Sequence, residues 1–334
     1  MKFVMKRNDQ VRNFNLKWLV PLAFGMSSGA FAAQCPSDDF ATFVKEFSAK
    51  PEVQQTFVAS PVVEQTVVAT GPKPRVVQKQ LKAFDAQSLA LLSPDSIQKS
   101  ELSMTVQLPN QVFVRDLKGE VLKIFTFKHN DCWALARIED WSLEKVLDAQ
   151  DATLNAAARG LKRGALYNQL GIETESPSAA QLYVSALNSY LDGAEQGSAE
   201  AAFAAAAISL SGQAPRLENA KILELFVTAS KSVPEAGLAL AEFYCDEGNY
   251  EETRACVNPE KSLSALVEAA RLGSATALIQ LGGAYESGAI VPSDLPRALA
   301  CYREAEKNDH ESAPRGVERL TAQGITANNS IHCL

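Results

Sequence analysis

Apolar residues recur at helical spacing in SDDFATFVKEF, where Phe40, Phe43 and Phe47 share a face and Ser37 and Asp38 stand available to cap. Pro51 suits the first turn of a second short helix, PEVQQTFVA. The period then changes. EQTVVAT and RVVQKQL flank Gly71-Pro72-Lys73-Pro74 and predict a hairpin with a Pro-rich loop. SMTVQL, VFVRD, EVLKIFTFKH and CWALARIEDW predict further strands, separated by turn signals at Pro109-Asn110, Lys118-Gly119 and Asn130-Asp131. Residues 33–142 are thus expected to form a small α+β domain, helices followed by a curved antiparallel sheet.

From residue 143 the alternation disappears and alanine takes over. EKVLDAQDATLNAAARGLKRGALYNQL is helical by propensity, and Pro177 in GIETESPSAA breaks one helix from the next. Within this all-α segment, 143–334, the pattern repeats. Counting from Ala277, ATALIQLGGAYESG places Leu281 at +4, Gly282 at +5, Tyr285 at +8 and Gly288 at +11. Counting from Ala236, EAGLALAEFYCDEG gives Leu240, Ala241 and Tyr244 at the first three offsets, with Gly248 one place late. Counting from Ala201, EAAFAAAAISLSG gives Ala205, Ala206, Ser209 and Gly212. These anchors lie 35 and 41 residues apart, and Ala313 follows after 36 more. A second helix alternates with the first: SDLPRALACYREAEKND, carrying Asp294, Arg297, Ala298, Leu299, Tyr302 and Ala305, has counterparts at 259–273, 217–231 and, more weakly, 188–198.

These motifs, AxxxLGxxYxxG followed by DxxRAxxxYxxA, resemble the Sel1-like repeat family, relatives of the tetratricopeptide repeat, over residues 160–325. The unequal spacing fits Sel1-like units better than strict tetratricopeptide units. The resemblance implies an α/α solenoid whose usual role is to hold proteins together or in place. Independently of it, each helix pair has too little apolar surface to fold alone, so neighbours are expected to stack into one core. Small residues at +0 and +5 let helices approach, Leu281 and Tyr285 fill the space between, and Gly212 and Gly288 end helices where only glycine sits cheaply. Upstream, two helices leading into a curved sheet resemble the NTF2-like or cystatin-like α+β class in element order. That likeness implies a cone-shaped pocket for a small ligand. The alternative is that Phe125, Phe127, Trp133 and Trp141 simply fill the core beneath the sheet.

The first 32 residues combine five basic side chains and one acidic one with the apolar run WLVPLAFGM and a terminal Ala30-Phe31-Ala32. This is the order of a secretory signal cleaved after Ala32. The run falls short of the ~20 residues needed to span a bilayer, and no later segment is apolar enough to do so. Cleavage would leave 302 residues and take the net charge from −7 to −11, a balance that argues against nucleic-acid binding. Export to the periplasm, or secretion, is the expectation.

All six cysteines survive such cleavage, and an even number in an exported chain suggests disulfides, with fifteen connectivities open on sequence alone. His129 and Cys132 lie close enough to raise a thiol–imidazole nucleophile, against which Cys132 is expected to pair with Cys35 in the same domain. Cys245 and Cys256 flank the insertion CDEGNYEETRAC that lengthens the 41-residue unit, and a bridge within that repeat is expected. Cys301 and Cys333 then remain to pin the tail to the solenoid. Some secreted Sel1-like proteins are stapled repeat by repeat, from which this chain departs by placing a pair in one unit.

No GxSxG, HExxH, P-loop, Rossmann fingerprint or EF-hand loop occurs, and three histidines give metal or His-based chemistry little material. Acidic pairs such as Glu139-Asp140 and Asp246-Glu247 read as solvated surface. No cofactor is expected. The reading is a non-catalytic, exported adaptor whose partners are proteins of the cell envelope. The alternatives are a periplasmic binding protein using the N-terminal pocket for a cell-wall fragment or small ligand, and a cell-envelope hydrolase. Tyr183, Tyr190, Tyr250 and Tyr302 are aromatic candidates for partner contact, although Tyr302 also fits the repeat's packing position.

Overall fold

The computed structural model describes residues 34–71, 73–82, 86–174, 178–249, 255–326 and 330–334. The expected signal segment within residues 1–33, Pro177 and Tyr250 therefore lie outside the described residues. Helix α1 (Phe40–Ala49) buries Phe40, Phe43, Val44 and Phe47 on one face. Its cap is Asp39, not Ser37 or Asp38: the Asp39 carboxylate accepts the Thr42 N–H at 2.9 Å. Helix α2 (Pro51–Thr56) stops earlier than its sequence suggests. Phe57 leaves the helix, and the β-branched run that follows enters strand β1 (Val58–Ala69) instead.

Strand β2 (Pro74–Leu81) closes the hairpin, and a 3₁₀ turn (Ala86–Leu92) and helix α3 (Pro94–Lys99) lead to β3 (Ser103–Gln107). Strands β4 (Gln111–Arg115), β5 (Leu122–His129) and β6 (Trp133–Asp140) complete a six-stranded sheet of order β2-β1-β6-β5-β4-β3. Four of its pairings are antiparallel. The fifth, β1 with β6, is parallel, so the sheet is mixed where the sequence suggested a purely antiparallel one. Strand periodicity reveals hairpins between neighbours in sequence, whereas the β1–β6 pairing joins strands about seventy residues apart.

Both faces of the central strands are covered. Val62, Val112, Val114, Phe125 and Phe127 share a core with α1, while Phe113, Leu122, Ile124 and Trp141 belong to the core of the helical segment. Alternate residues of β4 and β5 thus serve two cores, which is why both strands read as nearly continuous apolar runs. Phe125 and Phe127 lie on one side, Trp141 on the other, and half-buried Trp133 at the rim donates its indole N–H to Asp38 O at 2.8 Å.

The helical segment runs α4 (Glu144–Gln150), α5 (Ala156–Glu173), α6 (Ala179–Glu195), α7 (Ala199–Leu210), α8 (Asn219–Ala229), α9 (Pro234–Asp246), α10 (Pro259–Arg271), α11 (Ala275–Ser287), α12 (Leu295–Lys307) and α13 (Ala313–Ala322). From α5 onward each helix packs on its successor, which is the nearest-neighbour order of a solenoid. Gly288 ends α11 at φ +73°, and Gly212 lies just beyond α7 at φ +77°. In the repeat between them Glu247 itself takes the left-handed position at φ +53°, followed by Gly248. No helix among the described residues is long and apolar enough to cross a membrane.

Candidate interaction surfaces

The repeat residues converge at the helix contacts. Ala201, Ala236, Ala277 and Ala298 are fully buried, with Leu240, Leu281, Tyr285 and Tyr302 beside them, and Tyr244 half-buried. The +8 tyrosines each carry a cation over the ring: Arg297 lies 5.1 Å from the Tyr285 centroid, and Lys261 lies 5.6 Å from that of Tyr244. Arg297 and Lys261 occupy the same place, three residues after the cap of the second helix. The arginine of DxxRA was visible in the motif, but its contact was not, because the ring and the cation belong to different helices.

Tyr302 is core rather than contact surface. Its ring occupies the space a Cβ on Gly282 would need, and it abuts Gly316 of α13 in the same way. Its hydroxyl donates to Glu286 Oε2 at 2.7 Å, and Arg319 donates to both oxygens of the same carboxylate. Arg319, foremost through its hydrogen bonds, holds Glu286 below the usual carboxylate range. Burial, then the bond to Glu286, pushes the Tyr302 phenol up to about 12. Tyr190 is likewise core: it packs against Gly164, and burial raises its phenol to about 12. Of the aromatic candidates that are described, only half-buried Tyr183, over Gly171, retains exposure.

Two buried polar clusters fasten sheet to helices. Arg163 of α5 is 1% exposed and donates to Glu144 at 2.8 Å, Asp192 at 2.7 Å, Ser189 at 3.1 Å and the carbonyl of Lys118 at 2.8 Å in the β4–β5 turn. The second is centred on Glu139, which is 6% exposed and not the solvated surface residue its sequence context implies. Its carboxylate accepts from Arg137 at 2.7 Å, from the Trp141 indole at 2.9 Å and from the Ser178 hydroxyl at 2.7 Å. Three donors from β6, the residue beyond it and the start of α6 converge on one group, a clustering that no local pattern in the sequence could show.

The cysteines form Cys35–Cys132, Cys245–Cys256 and Cys301–Cys333 bridges. Cys132 therefore offers no thiol beside His129, whose ring meets Trp133 edge-on with centroids 4.6 Å apart. Among the described residues, no three His, Cys, Asp or Glu side chains gather as a metal site would need. The described cavities are modest. One of about 190 Å³ opens between α2 and the end of the β1–β2 hairpin, lined by Gln54, Val58, Ser60, Leu81 and Lys82. An open groove of about 560 Å³ lies at the last repeat, between Tyr285, Val291, Pro292, Leu295 and Ile325.

One further row follows from the repeat register. At +2 from the alanine anchors stand Phe203, Leu238 and Ile279, all half-buried apolar residues on successive first helices. At +3 and +6 their neighbours are small or polar: Ala204 and Ala207, Ala239 and Glu242, Gln280 and Gly283. The +2 side chains pack at the edge of the core, Phe203 with its ring centroid 6.3 Å from that of Phe226, and stay partly exposed.

Stacked helical hairpins, joined through an alanine–leucine–glycine–tyrosine contact code, define the class: an α/α solenoid carrying an N-terminal mixed sheet. Among solved structures the chain is similar to a Sel1 repeat protein from Oxalobacter formigenes, with 24% identity and a TM-score of 0.43 over 55% of this chain and 71% of that one. It is also similar to c5321, a protective antigen present in uropathogenic Escherichia coli strains and displaying an SLR fold, with 21% identity and a TM-score of 0.44. That match takes in 54% of this chain and 36% of the antigen. No protein-family profile and no curated protein matches the chain.

Proposed function

We propose that the protein is an exported, non-catalytic scaffold that binds protein partners in the periplasm through the first-helix face of its solenoid. The observation that carries this reading is the row Phe203, Leu238 and Ile279, apolar and half-exposed at equal offsets in three successive repeats. A solenoid presents such positions as one extended surface, on which several helices contribute to a single partner contact. The three disulfides favour an oxidising compartment, and the leader ending at Ala32 supplies the route. On this reading the mature chain starts at Ala33, with separate domains at 33–142 and 143–334 firmly docked.

The test is photo-crosslinking in intact cells of the producing organism, from a photoreactive side chain placed at Leu238 or at Ile279, followed by mass spectrometry. Both positions should capture the same envelope protein, and exposed Glu268 of α10 should not. Capture of nothing at either position, or equal capture at Glu268, overturns the reading. N-terminal sequencing of the purified protein should begin at Ala33.

A further inference from the structure

The β2 edge of the sheet stands apart from the rest of the molecule in charge. Between residues 73 and 82 lie Lys73, Arg75, Lys79 and Lys82 with no acid among them, in a chain whose net charge is −7. Strand β2 is the outer strand of the sheet, and Arg75 to Gln80 are all exposed. It pairs with β1 through eight successive residues without a bulge, from Val62–Leu81 to Ala69–Pro74. Its outward backbone groups make no hydrogen bond among the described residues.

Edge cations commonly protect a strand from unwanted pairing. Here they surround Val76 and Val77, 41% and 42% exposed at mid-strand. Neighbouring residues of a strand point to opposite faces, so the two valines cannot both contact a flat apolar surface. An added strand would meet both. Arg75, Val77 and Lys79 share one face, with Lys79 held 2.6 Å from Glu64 of β1. Past Leu81 the edge leads to the 190 Å³ cavity at Lys82, smaller than the ~300 Å³ expected of a small-molecule site and suited to one anchoring side chain.

We propose that β2 receives an extended acidic segment of a partner protein as a seventh strand. The partner carries an acid, an apolar residue and a second acid at alternate positions, opposite Arg75, Val77 and Lys79. Backbone pairing supplies the attachment and the charges select the partner. A second copy of this edge is disfavoured, because pairing would juxtapose two cationic stripes. This site is independent of the solenoid face proposed above.

The probe is the fluorescein-labelled peptide SETVTETS, titrated with the purified, disulfide-intact protein and read by fluorescence anisotropy. It should bind saturably, at least about tenfold more tightly than SKTVTKTS, and more weakly as salt rises. Two further forms, N-methylated at odd or at even amides, separate edge pairing from simple attraction; at least one should lose binding. Replacing Arg75→Ser and Lys79→Ser together should weaken binding roughly three- to tenfold while leaving thermal unfolding and crosslinking from Leu238 unchanged. Binding of both N-methylated forms as tight as that of the parent peptide, or an unaffected double variant, overturns the proposal. So does a dimer that the double variant abolishes, or sedimentation with phosphatidylglycerol vesicles in place of peptide binding.

Discussion

The Tyr302 ring lies where a side chain on Gly282 would have to go, its Cε1 2.5 Å from the position of an added Cβ. A Cβ added at Gly316 of α13 would meet the same side chain, 2.6 Å from its Cγ. The small residue at +5 therefore admits an aromatic ring from the next helix rather than a helix backbone. Gly282→Ala should overpack this contact and destabilise the protein by ~1–3 kcal/mol, read from chemical denaturation. Adding Tyr302→Leu to that variant should recover part of the loss, since the ring is the obstacle; an additive double variant would contradict the contact.

The Glu286 carboxylate makes the last repeat sensitive to acid. Its folded-state pKa is depressed, so its contribution is present above the unfolded value near ~4.3 and is lost as pH falls through the folded one. Glu286→Gln should accordingly be less stable than the parent at neutral pH, with the gap closing below about pH 4. Thermal melts across that range would show it.

Tyr302 acts in the alkaline direction. Its folded pKa is raised to about 12, so its contribution is intact below the unfolded value near ~10 and is lost as pH rises between them. Tyr302→Phe removes this titration. The parent should lose stability more steeply than the variant above about pH 10, measured by denaturant midpoints.

Arg163 holds the β4–β5 turn against α5 and α6 through Lys118, Glu144, Ser189 and Asp192. Arg163→Met leaves Asp192, only 12% exposed, without its cation. A cost of ~3–5 kcal/mol is expected, because a buried charge has lost its partner. Hydrogen exchange should accelerate in 116–120 before it does in α9 to α12.

Cys301 is fully buried and joins Cys333, 32 residues on, tying the C-terminal tail to α12. Cys333→Ser should cost about 3 kcal/mol in thermal stability, and limited proteolysis should then remove the tail beyond α13. Peptide mapping without reduction should recover the three bridged pairs intact.

Much of this architecture was legible locally. The spacing of Phe40, Phe43 and Phe47 announced α1, the alternation in VFVRD and EVLKIFTFKH announced strands, and the Ala–Leu–Gly–Tyr offsets announced a repeat. Periodicities of two and 3.6, and recurrence at near-constant spacing, are properties of the chain itself. What escaped were relationships between distant segments. Glu139 looks like half of a surface acidic pair until β6 and the start of α6 surround it with three donors. Tyr190 looks like an aromatic available for contact until Gly164 closes on its ring. Phe125 and Trp141 read as one core, and the sheet parts them into two.

The sequence by itself determined element types, the repeat register and the glycines that end helices, because backbone propensity and side-chain period act within a few residues. Only the tertiary structure decided that β1 runs parallel to β6, that Arg163 and Glu139 are buried fasteners, and that the cationic strand β2 is left at an edge. Each of these depends on which surfaces far apart in the chain exclude water from one another, and burial sets whether a charge is surface or core.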